Sequence, residues 1–239
     1  MPPLRFNPLH DLLQLFYPDL CCHCLCCHCG EPLVGDERHL CTRCMAKIPW
    51  AHHALAPGNE VEQRLAGRIP CQSAAALLLF RQGNIAQTIV HQIKYRGNLA
   101  MAQQYGRLLG AELQSSGRFS NIDCLVPVPL HRRRKRQRGY NQSELLCEAM
   151  AEVMHLPVVA DNLYRRRYTD TQTHKNRQAR MDNMKEVFAV RHPERFENKH
   201  ILLVDDIITT GATTENCYHA LRIVPNLQIS IAALAVTAS

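Results

Sequence analysis

The sequence predicts an α/β protein: a parallel sheet with flanking helices, preceded by a small cysteine-rich module. Three observations predict it. Short apolar runs alternate with segments of helical spacing between residues 71 and 236, the pattern of strands buried on both faces and joined by crossover helices. One of these runs, residues 201–204 (ILLV), leads into two acids, a loop of small and hydroxylated residues and a fresh helical pattern. Ligand loops in parallel sheets lie at such strand ends. Finally, residues 21–44 hold eight of the 12 cysteines.

The elements follow in chain order. Residues 8–16 fit a short amphipathic helix. His10, Asp11 and Gln14 interrupt its apolar stretch and no small-residue cleavage site follows, so it does not read as a signal peptide. Pro57, Gly58 and Asn59 read as a linker, which divides the chain into a module over 1–58 and an α/β domain over 59–239. Residues 71–80 (CQSAAALLLF) read as a strand. Apolar residues at 85, 86, 89, 90 and 93 give a helix over 85–95. A second helix spans 100–113, interrupted at Gly110. Residues 122–128 form a strand that prolines end at its carboxyl side. A helix over 145–154 and a short strand over 156–159 come next. Residues 169–183 are polar and poorly periodic, and are read as a lid over the ligand. The strand at 201–204 ends before Asp205 and Asp206. A helix carrying Glu215, Cys217, Ala220, Leu221 and Val224 follows, and 229–236 is the last strand.

No run reaches the ~18 apolar residues of a membrane-spanning helix, so a cytoplasmic protein is expected. Its cysteines should then be reduced thiols or metal ligands rather than disulfides. The net charge of +7 is concentrated in HRRRKRQR at 131–138 and YRRRY at 164–168. Arginine suits bidentate phosphate contacts. Such runs would serve pyrophosphate or a nucleic-acid backbone equally, with Arg132, Arg133 and Arg134 as the candidate anion-binding residues.

The first cysteine cluster offers three C-x-x-C frames: Cys21/Cys24, Cys24/Cys27 and Cys26/Cys29. A second pair, Cys41/Cys44, lies after an eleven-residue spacer. Two such pairs can wrap one tetrahedral zinc. Cys26 and Cys29 are taken as the first pair because Gly30 follows directly, where a knuckle needs a permissive backbone. The metal site is then Cys26, Cys29, Cys41 and Cys44. It is fully thiolate-coordinated and therefore structural, a zinc-ribbon-like module. Cys21, Cys22, Cys24 and Cys27 stay unassigned, as spare thiols, alternative ligands, or a second site with His23 or His28.

In the loop at 209–213 (TTGAT), Gly211 permits close backbone approach, the threonines add donors, and the following helix offers free N–H groups to a phosphate. The two acids upstream can accept hydrogen bonds from sugar hydroxyls. This order of strand, acid pair, loop and helix resembles the 5-phosphoribosyl-1-pyrophosphate (PRPP) motif of the type I phosphoribosyltransferases. The resemblance implies that Asp205 and Asp206 hold the ribose hydroxyls, and that Thr209, Thr210, Gly211, Ala212 and Thr213 cradle the 5′-phosphate.

Taken together, the motifs resemble the ComF family of competence-associated, GntX-like proteins over nearly the whole chain. They are C-x-x-C-GEPL at 26–33, C-x-x-C at 41–44, IKYRG at 93–97, PVPLHRRR at 127–134 and RGYNQ at 138–142. The spaced Gln172, Arg180 and Asn183 and VDDIITTGAT at 204–213 complete the set. The cysteine cluster is denser than one metal knuckle requires. The resemblance implies a type I phosphoribosyltransferase-like domain behind a zinc module, with PRPP bound together with magnesium and residues 127–134 near the pyrophosphate. Arg138, Asn141 and Gln142 match a motif for which the sequence gives no role. Two functions are expected. One is a phosphoribosyltransferase of unknown acceptor associated with DNA uptake. The other is a non-catalytic PRPP sensor or single-stranded-DNA-binding accessory protein, working beside a DNA-uptake helicase. Aromatics make up only 6% of the chain, too few for a stacking platform, so any DNA contact should be electrostatic and salt-sensitive.

Overall fold

The computed structural model describes residues 25–166 and 187–238. The helix read at 8–16, Cys21, Cys22, His23 and Cys24, and the lid at 169–183 with Gln172, Arg180 and Asn183 lie outside the described residues. The chain forms two compact units that divide between Ile48 and Pro49. No helix among the described residues is long and apolar enough to cross a membrane.

In the first unit the chain turns twice around a cluster of thiols. Leu25 bridges Pro32, and the Gly30 amide donates to the Cys26 carbonyl at 3.0 Å. Gly30 sits at φ 77°, the left-handed region that this tight turn requires. Helix α1, Thr42–Met45, follows Cys41 directly. Glu37 fixes its start, accepting from the Val34 amide at 3.0 Å and from the Thr42 hydroxyl at 2.7 Å.

The second unit is built on a four-stranded, all-parallel sheet. A short helix, α2 (Glu60–Leu65), opens on Asn59, whose side chain accepts from the amides of Val61 and Glu62. Strand β1 (Ala74–Phe80) leads to α3 (Ile85–Tyr95) and α4 (Leu99–Ser115). Strand β2 (Cys124–Pro127) leads to α5 (Arg132–Arg138) and α6 (Gln142–Met154). Strands β3 (Leu163–Arg165) and β4 (Phe188–Val190) pair antiparallel as a separate two-stranded sheet. Strand β5 (His200–Ile208), α7 (Ala212–Leu221) and β6 (Gln228–Thr237) complete the unit.

The main sheet runs in the order β1-β6-β5-β2. Alternate residues of each strand face opposite ways. Ala74, Ala76, Val126, Ile201, Leu203, Ile231 and Ala233 share one core with Val61 and Leu65 of α2 and Cys217 and Leu221 of α7. Helices α3, α4 and α6 pack against the sheet from elsewhere on β1, β2, β5 and β6.

The structure departs from the sequence reading in four places. Gly110 does not interrupt α4, which runs unbroken to Ser115. A Cβ on Gly106 would lie 2.7 Å from the Ala149 Cβ, and one on Gly110 would lie 3.1 Å from the Met150 Cα. Close approach of α6 therefore outweighs the poor helix propensity of glycine. Residues 156–159 form only a single parallel bridge, Val158 to Leu125. The basic run is a helix, α5, capped by the His131 side chain and ended by Gly139 at φ 83°. Strand β5 continues through the acid pair to Ile208, because β6 keeps pairing with it: Asp205 faces Ala233 and Ile207 faces Ala235.

Candidate functional site

The four sulfurs of Cys26, Cys29, Cys41 and Cys44 lie within 4.8 Å of one another, a group that can hold a metal ion. The Cys41 amide donates to the Cys26 sulfur at 3.4 Å. Burial opposes ionisation of Cys26, yet hydrogen bonds from the backbone at Cys29, Cys41 and His28 bring its thiol down to about 6. Burial and the neighbouring thiols push Cys44 up to about 12. Four thiolates crowded this closely repel one another unless a cation sits among them, and a soft-ligand set of this kind fits zinc.

In the second unit, the carboxyl end of β5 brings together the two acids, the loop at 209–213 and the start of α7. Asp205 is buried, 8% exposed. Its Oδ1 accepts from the Asp206 amide at 2.8 Å, and the Ser143 side chain also hydrogen-bonds it. Burial, followed by the neighbouring charge of Asp206, pushes Asp205 up to about 7. Asp206 is half-buried, and its Oδ1 lies 2.8 Å from the Lys94 ammonium at the end of α3. The acids therefore differ: Asp205 is an internal group raised by burial, and Asp206 is held by a cation.

Thr209, Thr210, Ala212 and Thr213 are exposed, so the loop is open to solvent. Gly211 sits at φ 79° as the residue before α7. The Ala212 amide donates weakly to the Thr210 hydroxyl at 3.4 Å, and the Glu215 amide to the Gly211 carbonyl. The amides of Gly211, Thr213 and Thr214 meet no backbone acceptor among the described residues. Three amides at a helix amino terminus form a cradle for an anion.

Lys94 also lines a cavity of about 340 Å³, together with Tyr95, Gly97, Arg134, Gln137, Arg138 and Tyr140. Its charged members are all cations. Arg138 stacks over the Tyr95 ring with its guanidinium carbon 4.8 Å from the centroid, and the Tyr140 hydroxyl donates to the Ile93 carbonyl. Lys135 is neutralised by Glu144 at 2.9 Å. Of the three arginines read as anion ligands, Arg134 reaches this cavity and Arg133 is exposed. For Arg132 only the backbone, opening α5, is described.

The RGYNQ motif acquires a partial explanation. Asn141 caps α6 and its Nδ2 donates to the Val128 carbonyl at 3.1 Å, tying the loop to the end of β2. Gln142 is buried, with both amide atoms unpartnered among the described residues. Sequence reasoning missed Ser143, and Arg64 and Arg68, which contact the loop. Lys94 and Arg138 entered it only as members of motifs, although IKYRG places a cation one helix turn past a buried apolar face.

A Salmonella typhimurium "DNA utilization protein YhgH" is 32% identical over 182 residues, which cover 73% of this chain and 74% of that protein. The chain belongs to the ComF family. Bacillus subtilis "Competence protein ComFC" is 25% identical to this ComF chain over 181 residues, 73% of the chain and 68% of that protein. The Escherichia coli K12 "DNA utilization protein YhgH" is 34% identical over 128 residues, 52% of this chain, and the match spans 56% of that protein's length. No family model matches the chain. Among solved structures, a B. subtilis glutamine PRPP amidotransferase complexed with ADP and GMP aligns at a TM-score of 0.43 and 15% identity, over 61% of this chain and 30% of that one.

Proposed function

We propose that this chain binds PRPP as a phosphoribosyltransferase-like protein serving DNA uptake or utilisation. One juxtaposition carries the reading: an open amide cradle, an acid pair immediately upstream, and a lysine that joins Asp206 to a cavity whose charged groups are all cations. A phosphorylated sugar with a diphosphate at its other end has matching chemistry. The 5′-phosphate would take the amides and hydroxyls of Thr209, Thr210, Gly211, Ala212 and Thr213. Asp206, backed by Asp205, would accept the ribose hydroxyls. Lys94, Arg134 and Arg138 would face the diphosphate. Magnesium would accompany that diphosphate, binding its oxygens and keeping several waters.

In a transfer reaction the C1–O bond to pyrophosphate breaks and a bond from C1 to the acceptor nucleophile forms. Positive charge develops on the sugar and negative charge on the leaving group. The cationic cavity would stabilise the departing pyrophosphate, and the acids would hold the ribose in place. The names of the relatives, a competence protein and DNA utilization proteins, support a place in DNA uptake or use. Zinc at Cys26, Cys29, Cys41 and Cys44 would hold the first unit together. Ligation by reduced thiols suits a cytoplasmic setting.

Titration calorimetry with PRPP and magnesium tests the pocket. The wild type should bind, and the Asp205→Asn, Asp206→Asn double variant should bind at least ~10-fold more weakly, about 1.4 kcal/mol. A wild type that takes up no PRPP would end the reading. Pyrophosphate release on adding nucleobases tests turnover, and binding without release would make the chain a sensor.

A second reading rests on α5. Among the described residues Arg133, Arg134 and Arg136 are exposed and form no ion pair. They would suit single-stranded DNA phosphates, in company with a DNA-uptake helicase. A gel-shift salt series on the variant with Arg132, Arg133 and Arg134 changed to Ala tests it. Affinity and salt slope identical to wild type would remove α5 from DNA contact.

A further inference from the structure

We infer that Arg64 and Arg68 are positioning residues for the phosphate cradle, a clasp that fixes the backbone at 209–211 so that the amides of the next residues stay available to an anion. The inference rests on the phosphate reading of the loop given above. Arg64 donates through Nη1 to the Thr209 carbonyl and to the Thr237 hydroxyl at 2.6 Å. Its Nη2 donates to the Thr237 carbonyl at 2.6 Å and to Glu60 at 2.8 Å. One guanidinium thus staples the start of the loop to the end of β6. Four residues on, Arg68 donates through Nη1 to the Thr210 carbonyl at 2.6 Å. Its Nε lies 3.1 Å from Glu215 Oε2, and Nη2 contacts the same carboxylate.

Between the two arginines, the Leu65 side chain fills the space a side chain at Gly211 would need. A Cβ there would lie 2.7 Å from Leu65 Cδ2. Three consecutive residues of the loop, 209, 210 and 211, are therefore each held by a different residue of 64–68. The consequence is directional. A peptide unit whose carbonyl is engaged on one side cannot rotate to present that carbonyl to a phosphate, whose oxygens it would repel, so the N–H groups stay preorganised for the anion. Arg68 has a second effect. Glu215 stands in the first turn of α7, where an uncompensated carboxylate would repel a bound phosphate. The Arg68 side-chain hydrogen bonds and charge hold Glu215 below the usual carboxylate range and compensate it.

Ribose 5-phosphate binding by titration calorimetry, on the full chain, tests the clasp. Arg64→Ala and Arg68→Ala should each lose at least about tenfold in affinity, the scale of a charged hydrogen bond removed. Arg68→Lys should recover only part, since an ammonium cannot span both the Thr210 carbonyl and Glu215. Arg68→Ala combined with Glu215→Gln separates the two roles. Affinity should stay low, because the carbonyl is still released. Full recovery in that double variant, or unchanged affinity in folded Arg64→Ala and Arg68→Ala, would overturn the clasp while leaving the phosphate site intact. Should the alanine variants fail to fold by circular dichroism, Arg64→Lys and Arg68→Lys give the same comparison, and wild-type affinity in both would overturn it. A wild type that binds no ribose 5-phosphate would instead strike down the phosphate reading itself, and the clasp with it.

Discussion

Replacing Gly211 by alanine perturbs the candidate site at its tightest point. The residue sits at φ 79°, and the added Cβ would meet Leu65 Cδ2 at 2.7 Å and Arg68 Nη1 at 3.5 Å. Leu65 is fully buried and cannot swing away into solvent. The left-handed backbone costs an L residue about 1–2 kcal/mol, and overfilling a packed site costs about 1–3 kcal/mol. Gly211→Ala should therefore destabilise the second unit by about 2–5 kcal/mol, which lowers the melting temperature by about 4–20 °C for a unit of this size. Differential scanning calorimetry reads this directly. Leu65→Ala alone should cost about 2–5 kcal/mol through the cavity it leaves. In the double variant the new methyl partly fills that cavity, so the combined loss should fall short of the sum by about 1–3 kcal/mol. Strict additivity, or a Gly211→Ala chain within about 0.5 kcal/mol of wild type, would refute the packing argument.

The two charged neighbours of Asp205 act on its titration in opposite directions. Asp205 stands at about 7, above its unfolded value of roughly 3.9, so its contribution to stability is complete below pH ~4 and is lost as pH rises through about 7. Asp206→Asn removes a like charge and should move the Asp205 carboxyl titration down, whereas Lys94→Met removes a favourable charge and should move it up. Carbon-13 NMR of the Asp205 side chain distinguishes the two, and a shared direction would contradict the charge assignment. Purified chain should carry one zinc per molecule by elemental analysis, and Cys41→Ser or a strong chelator should remove it and unfold the first unit. Full metal content in Cys41→Ser would exclude the four-thiol site. Gly106→Val should separate α4 from α6 and cost at least about 2 kcal/mol, measured by urea unfolding. A loss under about 0.5 kcal/mol would show that the helices can part freely.

How much of this is legible in the sequence depends on where the determining contact lies. Helix α3 is readable end to end because five buried apolar residues recur at helical spacing between Asn84, its cap, and Tyr95. The TTGAT loop is readable because glycine at positive φ and hydroxylated neighbours leave a local signature. Helix α2 is not readable: six residues with two buried apolar positions are too few to show a period. The meaning of Arg64 in this helix, and of Arg68 just past it, lies in carbonyls 145 and 142 residues away in the chain. Gly110 reads locally as a break, and only the partner helix explains why none occurs. The length of β5 is likewise set by β6, which extends the strand beneath both acids. The cation-lined cavity joins residues of α3 and α5, and neither segment alone implies it.

Strand β6 lies between β1 and β5, pairing Ala74 with Ile231 on one side and Leu203 with the same Ile231 on the other. During synthesis, β1 and β5 both emerge before the strand that joins them. Until residues 228–237 clear the ribosome, each waits with an open, apolar edge, and closing the sheet then requires the ends of a very long loop to meet. Assembly of this unit thus waits for β6, and a chain interrupted upstream of Gln228 would leave two sticky edges for chaperones and proteases to find.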